Sequence, residues 1–140
     1  MKVLYKAKAI SDGGREGKVR VENSPLVFEM AKPTELGGSG KPGANPEQLF
    51  AAGYAACFES ALQRVARNRN QALNSTSVAV EVGIGPDGLG GFQLTVSIVA
   101  TVSGVDQSTA DTLVQAAHQV CAYSNATRGN VEVSLSARVE

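Results

Sequence analysis

Two cysteines, Cys57 and Cys121, are the residues of this sequence best suited to covalent chemistry. Cys57 lies in the apolar stretch "GYAACFESAL", residues 53–62, and Cys121 lies in "AHQVCAYSN". A cysteine can be an inert, buried small hydrophobe, or a nucleophile that reacts as its thiolate. In a reducing compartment a disulfide is usually transient and catalytic or redox-sensing. The two residues are therefore either inert core residues or a redox pair.

A thiolate in apolar surroundings needs a fixed positive charge beside it. Arg15 follows the glycine-rich turn of "SDGGREGKV", and Glu47 lies in "NPEQLF", at the start of the predicted helix that carries Cys57. On composition alone the simpler interpretation of each is favoured, Arg15 as a solvated hairpin charge and Glu47 as an acid that complements the helix dipole. If both belong to the site of Cys57, the better role of Glu47 is to hold Arg15 in a bidentate pair, because a carboxylate beside the sulfur would oppose ionisation.

Nucleotide-binding motifs are matched only superficially. "GSGKPG" fits the G-x-G-x-x-G pattern with Gly38, Gly40 and Gly43, but no βαβ unit surrounds it, which favours a plain loop. A phosphate-binding P-loop fails because Glu35 and Pro42 occupy positions that require Gly and Ser or Thr.

His118 is the single histidine of the chain and lies three residues before Cys121. With Cys57, these residues could supply three zinc ligands. The chain has no C-x-x-C pair, however, and a packed or surface histidine is the favoured interpretation. A serine or cysteine hydrolase is also disfavoured, because this histidine has no evident carboxylate partner.

Composition indicates an ordinary globular protein with a single domain over residues 1–140. Thirteen basic and thirteen acidic residues cancel, so nothing in the charge favours nucleic acid or an anionic membrane surface as a partner. No apolar run approaches the ~20 residues that a membrane-spanning helix needs. The start, "MKVLYKAKAI", is too short and too charged for a signal peptide, so we expect a cytoplasmic protein.

Apolar periodicity predicts an α+β fold with antiparallel sheet around a central buried helix. The long helix begins after the N-cap Asn45 and runs to Arg67, with Gly53 as a weak point. A hairpin, a second helix and a last strand follow. The predicted strands are residues 3–10, 18–23, 24–31, 76–84, 90–102 and 130–139, and the second helix is 106–121, capped by Asp106 or by Ser108 in a capping box with Asp111.

The long helix raises a geometric problem for a site that contains both Glu47 and Cys57. Ten residues separate them, which is about 15 Å along a straight helix. Either the helix breaks near Gly53, or the site borrows Glu47 or Arg15 from a partner chain. The first half of this helix is also apolar on nearly all sides. One small chain has too little surface to bury all of these sides. We therefore expect an obligate homodimer.

Five segments resemble the organic hydroperoxide resistance proteins, the Ohr branch of the OsmC-like family. They are "SDGGREGKV", "PTELGGSG", "ANPEQLFAAGYAACFESAL", "GIGPDGLGGF" and "AHQVCAYSNATRGN", and the resemblance covers nearly the whole chain. It implies the OsmC-like fold, an intertwined homodimer and a peroxidase that uses thiols, without metal or cofactor, to reduce organic hydroperoxides to alcohols. It also implies a dithiol reductant such as protein-bound dihydrolipoamide.

The resemblance also assigns roles to four residues. Cys57 corresponds to the family's peroxidatic cysteine and Cys121 to its resolving cysteine, while Arg15 and Glu47 correspond to its active-site arginine and glutamate. One departure is visible, because Ala122 stands where the family commonly has proline after the second cysteine. The alternatives are an OsmC-like peroxidase with another preferred peroxide, a lipid-binding stress protein or redox sensor without turnover, and a structural dimer with inert cysteines.

Overall fold

The computed structural model describes all 140 residues, which divide into two compact units, Met1–Leu49 and Phe50–Glu140. Each unit contains one three-stranded sheet. Helices and sheets of this kind confirm the predicted α+β class. No helix has both the length and the apolar character needed to cross a bilayer.

The sheet of the first unit consists of β1 (Ala9–Asp12), β2 (Lys18–Val21) and β3 (Val27–Glu29), paired antiparallel in that order. The β1–β2 connection contains two glycines with positive φ, Gly13 at 92° and Gly14 at 60°, and Gly14 begins a short 3-10 turn, Gly14–Glu16, that carries Arg15. These backbone angles are accessible to glycine at little cost, which explains the doubled glycine of the sequence. The turn fixes the place of Arg15 between two paired strands.

The first predicted strand is much shorter than its sequence pattern indicated. Residues 3–8 lie outside any strand, because the ladder of β2 ends where Val21 pairs with Ala9. Their apolar side chains are consequently exposed, most clearly Leu4 and Tyr5, at 90% and 83%. Alternation predicted a strand here, but pairing requires a partner strand that the unit does not supply.

The long helix, α1, runs without interruption over Pro46–Asn68. Its start is a reciprocal capping pair, in which Gln48 N–H donates to Asn45 Oδ1 at 2.9 Å and Asn45 N–H donates to Gln48 Oε1 at 3.1 Å. The predicted N-cap is confirmed. A break near Gly53, one of the two alternatives drawn from the sequence, is wrong, because a single glycine costs only about 1 kcal/mol in a helix that packing stabilises.

Burial of α1 within this chain is one-sided. Tyr54, Phe58 and Leu62 are fully buried, whereas Ala52 and Ala56 on another side are exposed. One copy of the chain therefore covers only part of the apolar surface that the sequence gives this helix.

The sheet of the second unit begins with a long hairpin, β4 (Ser75–Pro86) and β5 (Phe92–Ser103). Asp87 closes its turn by accepting hydrogen bonds from the backbone N–H groups of Leu89 and Gly91. The last strand, β6 (Glu132–Val139), pairs parallel to β5. The predicted antiparallel arrangement is wrong at this edge, because two helices lie between the strands and return the chain to the end where β5 began.

These two helices are α2 (Gln107–Val120) and α3 (Ala122–Thr127). Asp106 caps α2 by accepting from Thr109 N–H at 2.8 Å, so the alternative cap at Ser108 is not used. The sequence analysis did not predict α3. The core of this unit lies between the helices and one face of the sheet, to which β5 contributes Val96, Ile98, Ala100 and Val102.

Candidate active site

The two cysteines lie together in the second unit. Cys57 is half-buried on α1, Cys121 is 1% exposed, and their Sγ atoms are 3.3 Å apart with both thiols free. A disulfide bond measures about 2.05 Å, so the two sulfur atoms need to move only slightly closer to form one. The pairing favours a redox pair over two unrelated core residues.

The junction between α2 and α3 determines the position of Cys121. This residue has extended backbone angles, φ −65° and ψ 125°, and serves as the C-cap of α2 and the N-cap of α3. The His118 carbonyl, which an uninterrupted α2 would use internally, accepts a hydrogen bond from the Arg128 guanidinium instead. Arg128 also donates to Asn125 Oδ1 at 2.7 Å, so one side chain ties both helices around the cysteine.

The environment of Cys121 holds this thiol in its neutral form. Burial raises its pKa, and the polar groups of the nearby Ser124 oppose that rise only in part. The neighbouring Cys57 raises the pKa further, because the neutral Cys121 thiol can donate to the other sulfur. Cys57 is the more accessible of the two thiols and the better placed to meet a substrate.

Aromatic side chains lie on the same side of α1 as Cys57. Phe50 and Tyr54 stand edge to face with ring centroids 5.9 Å apart, and Tyr123 lies 5.9 Å and 5.7 Å from these two rings. Gly53, one helical turn before Cys57, makes room for this cluster, because a Cβ at that position would lie 2.8 Å from the Tyr123 hydroxyl oxygen. The glycine thus serves packing and does not break the helix.

Arg15 and Glu47 form the predicted bidentate pair within the first unit. The two terminal guanidinium nitrogens, Nη1 and Nη2, donate to the two carboxylate oxygens at 2.9 Å and 2.7 Å. The side chains are 32% and 12% exposed, so the pair is partly shielded from water. The hydrogen bonds from Arg15 hold the pKa of Glu47 below its ordinary value, and those to Glu47 raise the pKa of Arg15. The guanidinium is thereby held as a fixed, oriented charge.

A buried polar network surrounds Ser124, which the sequence analysis did not single out. Its Oγ lies 2.9 Å from Tyr54 Oη and 2.8 Å from His118 Nδ1, and Tyr54 Oη lies 3.2 Å from Thr127 Oγ1. His118 is therefore a packed, hydrogen-bonded histidine, as the sequence favoured. Burial and the positive charge of Arg128 both lower its pKa. The spacing of Ser124, three residues after Cys121, was the available signal.

The structure thus brings the four predicted residues together as two pairs, Cys57 with Cys121 and Arg15 with Glu47. Each pair lies within one of the two compact units. That all four act in one site remains a prediction.

Comparison with known proteins places this arrangement in a family. The family model described as OsmC-like protein matches residues 38–136. The organic hydroperoxide resistance protein of Xanthomonas axonopodis pv. citri is 49% identical over 136 residues, which cover 96% of this chain and 95% of the relative.

Solved structures agree with the sequence comparison. The crystal structure of an organic hydroperoxide resistance protein from Elizabethkingia anophelis is 48% identical and superimposes with a TM-score of 0.96, covering 100% of both chains. The organic hydroperoxide resistance protein OhrB of Bacillus subtilis, at 39% identity, has a TM-score of 0.87 over 99% of this chain and 100% of its own. Sequence and backbone therefore lead to one assignment: the chain belongs to the OsmC-like family, in the branch of the organic hydroperoxide resistance proteins.

Proposed function

We propose that this protein is a cysteine-based peroxidase that reduces organic hydroperoxides to alcohols and serves resistance to organic peroxide stress in the cytoplasm. The observation that carries the proposal is the half-buried Cys57 held 3.3 Å from the buried Cys121, beside an aromatic cluster. The names of the relatives support the substrate class.

The reaction begins with Cys57 as a thiolate. Its sulfur attacks the peroxide oxygen farther from carbon, the O–O bond breaks, and the alkoxide leaves as the alcohol after taking a proton. Cys57 is then a sulfenic acid. Cys121 condenses with it to form the Cys57–Cys121 disulfide and one water molecule. A dithiol such as protein-bound dihydrolipoamide supplies two electrons by thiol–disulfide exchange and restores both thiols.

Arg15 supplies the positive charge in this proposal. Its guanidinium stabilises the Cys57 thiolate and the negative charge that develops on the breaking O–O bond. Glu47 acts as a positioning residue, because its two oxygens occupy two of the guanidinium donors and fix the plane of the group. The remaining guanidinium N–H groups stay free to face the sulfur and the peroxide.

The aromatic cluster favours substrates with an apolar chain. Phe50, Gly53 and Cys57 follow one another at helical spacing on one side of α1, so an alkyl or aryl group beside the sulfur would lie against rings. Each methylene buried there contributes about 0.8 kcal/mol, and hydrogen peroxide has none to bury. Alkyl and fatty-acid hydroperoxides are therefore the expected substrates.

A homodimer is the expected assembly. Apolar side chains that one chain leaves exposed include Leu4, Tyr5 and Val27, together with the exposed side of α1 at Ala52 and Ala56. Because α1 is unbroken, ten helical positions, about 15 Å, separate Glu47 from Cys57 on the same helix. We infer that the Arg15–Glu47 pair of one chain serves the Cys57 of its partner.

Steady-state peroxide consumption tests the proposal. With excess dihydrolipoamide, the wild type should turn over cumene and tert-butyl hydroperoxides many times, faster than hydrogen peroxide, and thioredoxin should be a poor substitute as reductant. Cys57→Ser should abolish turnover with the same circular dichroism spectrum. A single turnover that leaves a stable disulfide despite the dithiol would indicate a sensor, and residual turnover above a few per cent in Cys57→Ser would place the chemistry elsewhere.

A further inference from the structure

A second contact joins α1 to α3 about one helical turn from the two sulfurs. Tyr54 precedes Cys57 by three positions on α1, and Ser124 follows Cys121 by three positions in α3. Tyr54 Oη and Ser124 Oγ are 2.9 Å apart, and both residues are fully buried. The helices that carry the cysteines are thus joined at the hydroxyl groups as well as at the sulfurs, and the peroxidase scheme above uses only the sulfur contact.

The protons of this hydroxyl network can be arranged in one direction only. The Thr127 hydroxyl donates to the Ser124 backbone carbonyl, which can only accept. Since that hydroxyl has a single proton, its 3.2 Å contact with Tyr54 Oη requires Tyr54 to donate. By the same count Ser124 Oγ donates to Tyr54, and Nδ1 of His118 donates to Ser124 Oγ across 2.8 Å. We call these four side chains the hydroxyl brace.

We propose that Tyr54 and Ser124 are positioning residues for disulfide formation, and that the hydroxyl brace holds Cys121 against Cys57. This inference rests on the proposed peroxidase cycle and deepens it. In the resolving step the Cys121 sulfur displaces the oxygen of the Cys57 sulfenic acid, which leaves as water with the thiol proton. The sulfurs must close from 3.3 Å to about 2.05 Å. Because the brace already orders the two helices, little further ordering accompanies this step.

The first member of the brace is itself anchored. His118 lies in the last turn of α2, and its backbone carbonyl accepts a hydrogen bond from the guanidinium of Arg128, the residue that follows α3. Burial and the positive charge of Arg128 lower the pKa of the ring and favour its neutral form. The direction of the brace then requires the neutral tautomer that carries its proton on Nδ1 and leaves Nε2 bare.

Four variants separate positioning from packing and stability. Tyr54→Phe and Ser124→Ala each remove one hydroxyl of the brace. Tyr123→Phe is the matched control, because it deletes the same atom from a neighbouring ring, 5.7 Å from that of Tyr54, which takes no part in the brace. Val102→Ala is the stability control, because it opens a cavity at a fully buried position of β5, a strand that contributes no member of the brace.

The main measurement is the dithiol–disulfide equilibrium of each full-length protein over a series of ratios of oxidised to reduced lipoamide, read by mass after acid quench. A merely structural contribution would destabilise the dithiol and disulfide forms alike and would leave this equilibrium unchanged. We expect the equilibrium constant for the Cys57–Cys121 disulfide to fall about tenfold in Tyr54→Phe and Ser124→Ala. Tyr123→Phe and Val102→Ala should stay within about twofold of the wild type, although Val102→Ala unfolds at lower urea.

A spectroscopic measurement tests the direction of the brace. The protein has a single histidine, so NMR of the imidazole nitrogens reports His118 alone. In the reduced wild type at slightly alkaline pH, where the ring is neutral, we expect the proton on Nδ1. A proton on Nε2 with a bare Nδ1 would mean that at least one bond of the brace is not formed, and it would overturn the brace.

The lipoamide equilibrium decides the positioning role without peroxide. Wild-type equilibrium constants in both Tyr54→Phe and Ser124→Ala, or an equal fall in either control, would overturn that role. A wild type that stays a dithiol in fully oxidised lipoamide would overturn it too. If the wild type forms the disulfide with lipoamide but no Cys57 sulfenic acid with cumene hydroperoxide, the peroxidase proposal fails and the positioning of Cys121 by the brace does not.

Discussion

Arg15 and Glu47 show how side-chain shape, beyond charge, enters the proposed mechanism. Two parallel hydrogen bonds fix the guanidinium plane and still leave donors for the sulfur. A lysine at this position would keep the positive charge but would offer a single ammonium group in place of the planar fork. Substitutions of this pair therefore test whether activation of the Cys57 thiolate depends on the orientation of the Arg15 guanidinium as well as on its charge.

Arg15→Lys is expected to lower the peroxidase rate at neutral pH by about 10²–10³, the loss typical of one electrostatic donor. Glu47→Gln should also lower the peroxidase rate, but by a smaller factor, because Glu47 acts only by orienting Arg15. The measurement is the rate of Cys57 alkylation across pH, with Arg20→Lys, an exposed change on β2, as the control. Superimposable curves for wild type and Arg15→Lys would remove Arg15 from the active site.

Cys121→Ser is expected to react with one equivalent of peroxide and then stop. With no second thiol 3.3 Å away, the sulfenic acid of Cys57 persists and is open to further oxidation. Mass spectrometry at excess peroxide should show sulfinic acid on Cys57 in the variant and disulfide in the wild type. If the variant fails to react even once, Cys121 is the nucleophile and the two roles are reversed.

At the scale of elements, the backbone of the α2–α3 junction has the geometry that a proline at position 122 would require, although this chain has alanine there. Ala122 is the first residue of α3, where a backbone N–H has no intrahelical acceptor, and the His118 carbonyl is already taken by Arg128. Cys121 has φ −65° and ψ 125°, angles that a residue before proline adopts freely. The backbone is thus arranged for a proline that the sequence lacks.

Ala122→Pro should consequently raise stability by about 0.4–1 kcal/mol, because proline restricts the unfolded chain and costs nothing in this native geometry. The urea midpoint of the reduced protein measures the change. Ala126→Pro, inside α3, is the control and should lose roughly 3 kcal/mol. A loss of stability in Ala122→Pro would mean that the junction needs the N–H group of residue 122.

At the scale of the whole molecule, acid should weaken the fold partly through Glu47. Its folded pKa lies below the ordinary 4.5 because Arg15 hydrogen-bonds the carboxylate. The unfolded chain therefore binds the proton at higher pH, and this contribution to stability is complete above about 4.5 and is lost as pH falls through the folded pKa. Urea unfolding at several pH values should show that the free energy of unfolding falls less steeply with acid in Glu47→Gln than in the wild type. Equal pH dependence in the two proteins would contradict a stabilising contribution from the pair.

Assembly gives the remaining prediction at this scale. If each site joins Cys57 of one chain to Arg15 of its partner, a mixture of Arg15→Ala and Cys57→Ser chains, refolded together, contains heterodimers with one complete site. Random pairing makes half of the dimers mixed, with one of two sites active, so about a quarter of wild-type activity should return. Sedimentation should show a dimer throughout. No recovery on mixing would mean that each chain completes its own site.

The sequence by itself determined two of the three helices, α1 and α2, and the β4–β5 hairpin, because these depend on local rules. Asn45 and Asp106 are caps that each act on a residue three positions away, and the β4–β5 hairpin follows from alternation on both sides of a glycine-rich turn. Composition alone favoured the simpler interpretations of Arg15 and Glu47, and their site roles came with the family resemblance; the structure shows the bidentate pair itself.

Only the tertiary structure decided the features that depend on partners distant in sequence. Residues 3–8 alternate like a strand but find no neighbour, and β6 joins β5 in parallel because two helices lengthen the connection. Ser124 meets His118 and Tyr54 only once α3 folds back beside α2. Periodicity indicates which face of a helix or strand is apolar. The residues that pack against that face come from distant parts of the chain, so the tertiary structure decides them.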